Sequence, residues 1–80
     1  MKFRRIKDLR EDHDLLQRDV AKLLGISQQY YSEYENGKRT IPIQHLITLA
    51  DYYKTSIDYI VERVNEYSFY AQNKKRKQFK

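Results

Sequence analysis

Cysteine is absent from the 80 residues, glycine occurs twice and proline once. Without cysteine there is neither a disulfide nor a thiol nucleophile, which fits a reducing compartment. No apolar run approaches the length of a transmembrane span. The opening Met1-Lys2-Phe3-Arg4-Arg5-Ile6 lacks the long apolar segment of a signal peptide. His13 and His45 stand apart, with no Cys or second His at ligand spacing, so no metal site is expected. The acids are scattered over helix surfaces and form no catalytic pair. No Ser/His/Asp order and no glycine-rich phosphate loop occurs. Neither a cofactor nor an enzyme activity is expected. There is also no internal repeat and no strand signal.

A positive excess is missing from most of the chain as well. The net charge is +5, but Lys74, Lys75, Arg76, Lys77 and Lys80 supply five of the sixteen basic residues. Residues 1–73 carry eleven groups of each sign, a net of zero. Binding of nucleic acid by the folded part therefore requires its positive groups to gather on one face.

What remains suits one small folded domain. The chain is 40% hydrophobic and 34% charged, enough apolar content for a modest core rather than a disordered segment. The stretch Gln17 to Gly37 organises it. Val20, Ala21 and Leu24 repeat with helical spacing, and Tyr31 and Tyr34 continue a stripe in a second helix. Between them, Gly25 can take the positive φ at which one helix stops, and the Ser27 hydroxyl can cap the next. Gly37 is a second stop, so both glycines fall where a helix must end.

These positions resemble the helix-turn-helix of Cro/repressor-type (Xre-type) DNA-binding domains. The match rests on Gln17, Val20, Ala21, Leu24, Gly25, Ile26, Ser27, Gln28, Tyr34, Glu35, Asn36 and Gly37. It extends to Ile6, Leu9, Arg10 and Glu11 before them, and to Pro42, Leu46, Leu49, Ala50, Tyr53, Ser56, Asp58 and Tyr59 after. The resemblance implies an all-α, compact five-helix, lambda-repressor-like fold over residues 1–66. Residues 67–80 are expected to hold an extension of the fifth helix and a basic, flexible tail.

The first helix is marked by Phe3, Ile6 and Leu9, with Arg4, Arg5, Lys7, Asp8 and Glu11 outward. The second spans about Gln17 to Leu24. Leu16 stands where the family places Thr or Ser as a cap, a loss of about 1 kcal/mol that Asp19 can partly offset through the helix dipole. The third runs about Gln28 to Glu35. The fourth begins after Pro42 and shows a wide apolar face of Ile43, Leu46, Ile47, Leu49, Ala50 and Tyr53. The fifth begins near Ile57, capped by Ser56, and its apolar spacing continues through Val64, Tyr67 and Ala71.

With Tyr31 and Tyr34 inward, the third helix turns Gln28, Gln29, Ser32 and Glu33 outward as base contacts, and Asn36 with them at its end. A glutamine amide can bond adenine N6 and N7 together. The resemblance implies that Gln28 and Gln29 do this; the alternative is two solvated side chains. Gln17, Tyr30, Asn36, Lys38 and Arg39 are the expected backbone contacts. By resemblance Gln17 would bond a phosphate and brace Gln28. Tyr30 would touch a thymine methyl or a phosphate, or pack on the loop before the fourth helix. Glu33 admits three readings: acceptor from cytosine N4, rejector of sites lacking that donor, or plain surface acid. Arg10 and Glu35 would form a structural ion pair.

The partner implied is double-stranded DNA with a palindromic operator, bound by a homodimer. The dimer surface would be Tyr59, Val64, Tyr67 and Tyr70, whose alternative role is to close the core. No membrane partner is expected. The setting is cytoplasmic, on the nucleoid, and the role that of a transcriptional regulator, a repressor. The basic run after Asn73 reads as a phosphate-binding arm, a solvated tail or a nuclear-localisation look-alike. The rival reading is a protein-interaction module on the same scaffold, such as an antitoxin or adaptor.

Overall fold

The structure, a computed structural model, describes residues 2–65. Five helices follow in order: α1 (Arg4–Asp12), α2 (Gln17–Leu24), α3 (Gln28–Glu35), α4 (Ile43–Tyr53) and α5 (Ile57–Ile60). No strand occurs among the described residues. α2 packs most extensively on α3, α1 touches α3 and α5, and α4 packs on α5.

The core is the expected set of stripes. Ile6, Leu9, Val20, Ala21, Tyr31, Tyr34, Leu46, Leu49, Ala50, Tyr53 and Ile60 are buried, joined by Ile41 from the loop before α4. Each buried aliphatic residue contributes roughly 1.5–3 kcal/mol. Ala21 leaves α2 and α3 room to cross. The wide apolar face expected for α4 narrows, because Ile43 and Ile47 are 53% and 47% exposed. The neighbouring helices cover only the Leu46, Leu49, Ala50 and Tyr53 strip.

All five helices close in the same way. The N–H of the residue in left-handed conformation bonds three residues back, and the next N–H bonds five back. These pairs are Asp14/Leu15, Gly25/Ile26, Gly37/Lys38, Lys54/Thr55 and Glu62/Arg63. This Schellman closure satisfies carbonyls that the helix leaves open. It demands a positive φ, which Gly25 (72°) and Gly37 (78°) adopt freely. Asp14, Lys54 and Glu62 adopt it with side chains attached, at φ 57°, 58° and 66°. A side chain in that region costs about 1–2 kcal/mol, partly offset by the unfolded-state freedom that glycine would add. Lys54→Gly is therefore expected to stabilise the domain by about 0.5–1 kcal/mol and to raise the melting temperature by several degrees in a thermal melt. Gly37 meets a second demand. A Cβ there would lie 3.0 Å from the Cβ of Lys2.

The helix starts divide into two kinds. Ser27 Oγ accepts from Tyr30 N at 3.1 Å, and Ser56 Oγ accepts from Tyr59 N at 3.0 Å. Leu16 caps nothing with its side chain. The repair by Asp19 is more direct than a dipole effect, since its Oδ2 accepts the Leu16 N–H at 2.8 Å. Half of a capping box survives where the cap oxygen is missing.

α5 stops at Ile60 and turns through Glu62, so it does not continue as a helix over the described residues. The expected extension at 67–80, with Tyr67, Tyr70 and the basic run, lies outside them. Arg5, expected to point outward, is half-buried and fastens the chain after α5. Its Nη1 donates to the carbonyls of Tyr59 (2.9 Å) and Val64 (2.8 Å), and its Nη2 donates to Asn65 Oδ1 at 3.0 Å. Its guanidinium sits 4.2 Å from the centre of the Tyr59 ring. Tyr59 is partly buried and packs against the core.

Candidate nucleic-acid interface

The amides of Gln28 and Gln29 stand on the first turn of α3 because Ser27 caps it and Tyr31 and Tyr34 anchor its other side. Both glutamines are exposed. The two tyrosine rings meet edge to face, with centroids 6.4 Å apart, and fix the rotation of the helix. The Tyr34 hydroxyl reaches His45 Nδ1 at 3.1 Å and so ties α3 to α4. His45 is thus not isolated, nor is His13, whose Nδ1 meets Leu9 O at 2.8 Å and whose ring lies on Tyr53. Among the described residues no cluster of His, Cys, Asp or Glu could hold a metal ion.

Gln17, Gln28, Gln29, Ser32, Glu33, Asn36 and Lys38 line one open, polar depression of about 460 Å³. Seven of the nine expected contact residues are thereby brought together. Its single acid is balanced by its single lysine, so the floor is neither an acidic trap nor covered by the protein's own atoms. Asn36 Nδ2 leans on Ser32 Oγ at 3.4 Å.

Some of the nine also hold partners within the chain. Gln17 Nε2 donates to Glu35 Oε1 at 3.0 Å, so its amide braces the ion pair beneath the surface. Tyr30 is stacked under Arg39, whose guanidinium carbon is 4.1 Å from the ring centre. Arg39 Nε also donates to Glu33 Oε1 at 2.9 Å, and this bond holds the guanidinium more firmly protonated. The pairing escaped the sequence reading, because it spans a helix end and a turn rather than one helical repeat.

Behind the surface, Arg10 and Glu35 form the expected ion pair. Arg10 Nε donates to Oε2 at 2.7 Å and Nη2 to Oε1 at 3.2 Å, a two-pronged pair across α1 and α3. The side chains are only 11% and 3% exposed. Arg10 Nη1 donates to Leu15 O at 3.0 Å, so the same guanidinium also secures the α1–α2 turn. Burial pushes the Glu35 carboxyl upward, but the hydrogen bonds from Arg10 and Gln17, with the Tyr31 hydroxyl close by, outweigh it, and its pKa lies below the usual value. Burial, and then the neighbouring Glu35, push the Tyr31 hydroxyl far up. That hydroxyl is buried beside the carboxylate without a well-formed hydrogen bond.

Among the described residues no helix is long and apolar enough to cross a membrane. A helix-turn-helix family model matches residues 6–60. Over 79 residues the chain is 30% identical to an uncharacterized HTH-type transcriptional regulator, YobD, of Bacillus subtilis, covering 99% of this chain and 70% of that one. Over 71 residues it is 32% identical to a second uncharacterized HTH-type transcriptional regulator of B. subtilis, YqaE, covering 88% of this chain and 61% of the other. A third relative, the antitoxin PezA of Streptococcus pneumoniae, is 35% identical over 51 residues, 64% of this chain and 32% of its own. No solved structure gives a significant match. Two helices crossing at a glycine turn, the exposed polar face of α3 and a match over 6–60 agree: the chain belongs to the helix-turn-helix family of the Cro/repressor (Xre) type.

Proposed function

We propose that the chain binds double-stranded DNA sequence-specifically and regulates transcription as a repressor, laying α3 in the major groove. The observation that carries this is the polar depression at the start of α3, with Gln28 and Gln29 exposed above it. A major groove admits one helix, and side chains at its N-terminal end reach base edges. In this reading Gln28, Gln29 and Ser32 face bases, while Asn36 and Lys38 lie along phosphates. The α2 N-terminus adds free N–H groups for a phosphate near Gln17. The two relatives named as transcriptional regulators support the same role.

One α3 covers only a few base pairs, so two copies acting on a palindrome with half-sites roughly 34–36 Å apart would supply the specificity. Tyr59, Val64, Tyr67 and Tyr70 are the candidate dimer residues. The cytoplasm is the setting, and no catalytic step is involved. Selection from a random duplex library tests all of this. The expected product is a palindromic consensus with one helical turn between half-sites. Recovery of unselected sequence would end the DNA reading.

A second reading is favoured by the relative named as an antitoxin. In that case the scaffold captures a protein partner, with or without DNA. Salt separates the two. Phosphate contacts make affinity fall steeply as salt rises, and binding to duplex that is absent or insensitive to salt would favour the protein partner.

A further inference from the structure

The cluster of Tyr30, Glu33 and Arg39 is more organised than a surface ion pair needs to be. Arg39 is positioned three times. Its backbone N–H bonds Glu33 O at 3.2 Å, which folds the loop back over the end of α3. Its Nε is held by the Glu33 carboxylate, and its guanidinium carbon sits over the Tyr30 ring. Tyr30 is itself braced edge-on by the buried Tyr34, with centroids 5.5 Å apart and planes at 87°. A long, rotamer-rich side chain at a loop start has thus lost much of its freedom before any ligand arrives. Such prior ordering lowers the entropic cost of a later contact.

Glu33 engages Nε alone, which leaves the two-nitrogen end of the fork uncommitted to it. The side chain is still 46% exposed. A planar fork of this kind fits a pair of acceptors on one rigid edge. Two such edges exist on duplex DNA: a phosphate, and the O6/N7 edge of guanine. The pairing with Glu33 bears on the choice. Arginine and glutamate together carry no net charge, so the pair adds little long-range attraction for the backbone. What it retains is directional hydrogen bonding, which a base edge rewards.

We propose that Arg39 is a specificity-determining residue that reads a guanine in the major groove, and that Glu33 and Tyr30 are its positioning residues rather than base contacts of their own. This rests on the DNA-binding reading above, and it gives Arg39 and Glu33 roles different from those expected from sequence. Glu33 then excludes no base directly. It acts by holding the fork in plane.

The test is duplex selection with the full chain as wild type, Arg39→Lys and Glu33→Gln, with affinities measured at several salt concentrations. Neither residue belongs to the core, so both variants keep the fold. The wild type is expected to select guanine at one fixed position of each half-site. Arg39→Lys keeps the charge but loses the fork, so it should lose about tenfold of that preference with an unchanged salt slope. Glu33→Gln should weaken preference at the same position and nowhere else. The proposal is overturned if Arg39→Lys leaves every base preference intact. It is overturned equally if the two variants alter different positions, which would make Glu33 a reader itself. A uniform loss on all duplexes would make Arg39 a phosphate contact. A wild type that selects no sequence removes the DNA reading itself, and this proposal with it.

Discussion

Replacing Arg10 with methionine is expected to lower stability by about 3 kcal/mol and the melting temperature by roughly 15 °C. Lys7→Met, on the exposed face of the same helix, should change little. The asymmetry follows from burial. Glu35 is 3% exposed, and without Arg10 its remaining donor is the Gln17 amide at 3.0 Å. An uncompensated buried carboxylate is among the most costly single defects in a small domain.

The same substitution should reverse the acid response. In the native chain the Glu35 pKa is depressed, because the bonds from Arg10 and Gln17, with the Tyr31 hydroxyl close by, outweigh burial. A depressed carboxyl stabilises the fold above its unfolded pKa, and that contribution fades as pH falls through the folded value. In Arg10→Met burial is opposed only weakly, and the Glu35 pKa should rise above the unfolded value. The fold then gains from protonation and loses stability as pH rises through the new value. Thermal melts between about pH 3 and pH 7 should slope in opposite directions for the two proteins. Parallel slopes, or equal melting temperatures for Arg10→Met and Lys7→Met, would remove the pair from the account of stability.

The second large effect belongs to the reading face. Gln28→Ala and Gln29→Ala should each weaken binding to the selected duplex by about 1–3 kcal/mol, roughly tenfold to a hundredfold. Each should relax preference at one position and leave binding to random duplex unaltered. Lys38→Gln should behave differently, weakening all duplexes alike and reducing the salt slope by about one. Fluorescence anisotropy on matched and random duplexes distinguishes the patterns. If Gln28→Ala weakens matched and random duplexes equally, the amide is a backbone contact, and if it weakens neither it is a solvated side chain; either result misassigns the reading helix.

The limits of α2, α3 and α4 were legible because each is punctuated by a residue with one physical use. Gly25 ends α2, Ser27 opens α3, Gly37 follows its end and Pro42 precedes α4. The Arg10–Glu35 pair was legible only through resemblance, since 25 positions separate the partners. α5 shows what spacing alone misses. Val64 and Tyr67 continue an apolar rhythm, yet the helix closes at Glu62, where no glycine announces it. The apolar face of α4 was overread for a related cause. Periodicity records which residues are apolar, while the neighbouring helices decide how wide a strip they cover. The bonds of Arg5 and the in-chain partners of Arg39 went unread because arginine stems bury along a surface while the head group reaches distant acceptors. Their partners lie across turns, where no repeat in the sequence points.

The close fit between Lys2 and the turn at Gly37 has a practical side. The start of the chain lies against the end of α3, one residue from Lys38 on the rim of the polar depression. A purification tag or fluorescent fusion joined there would emerge at the mouth of that depression and, under the proposed function, compete with a duplex for space.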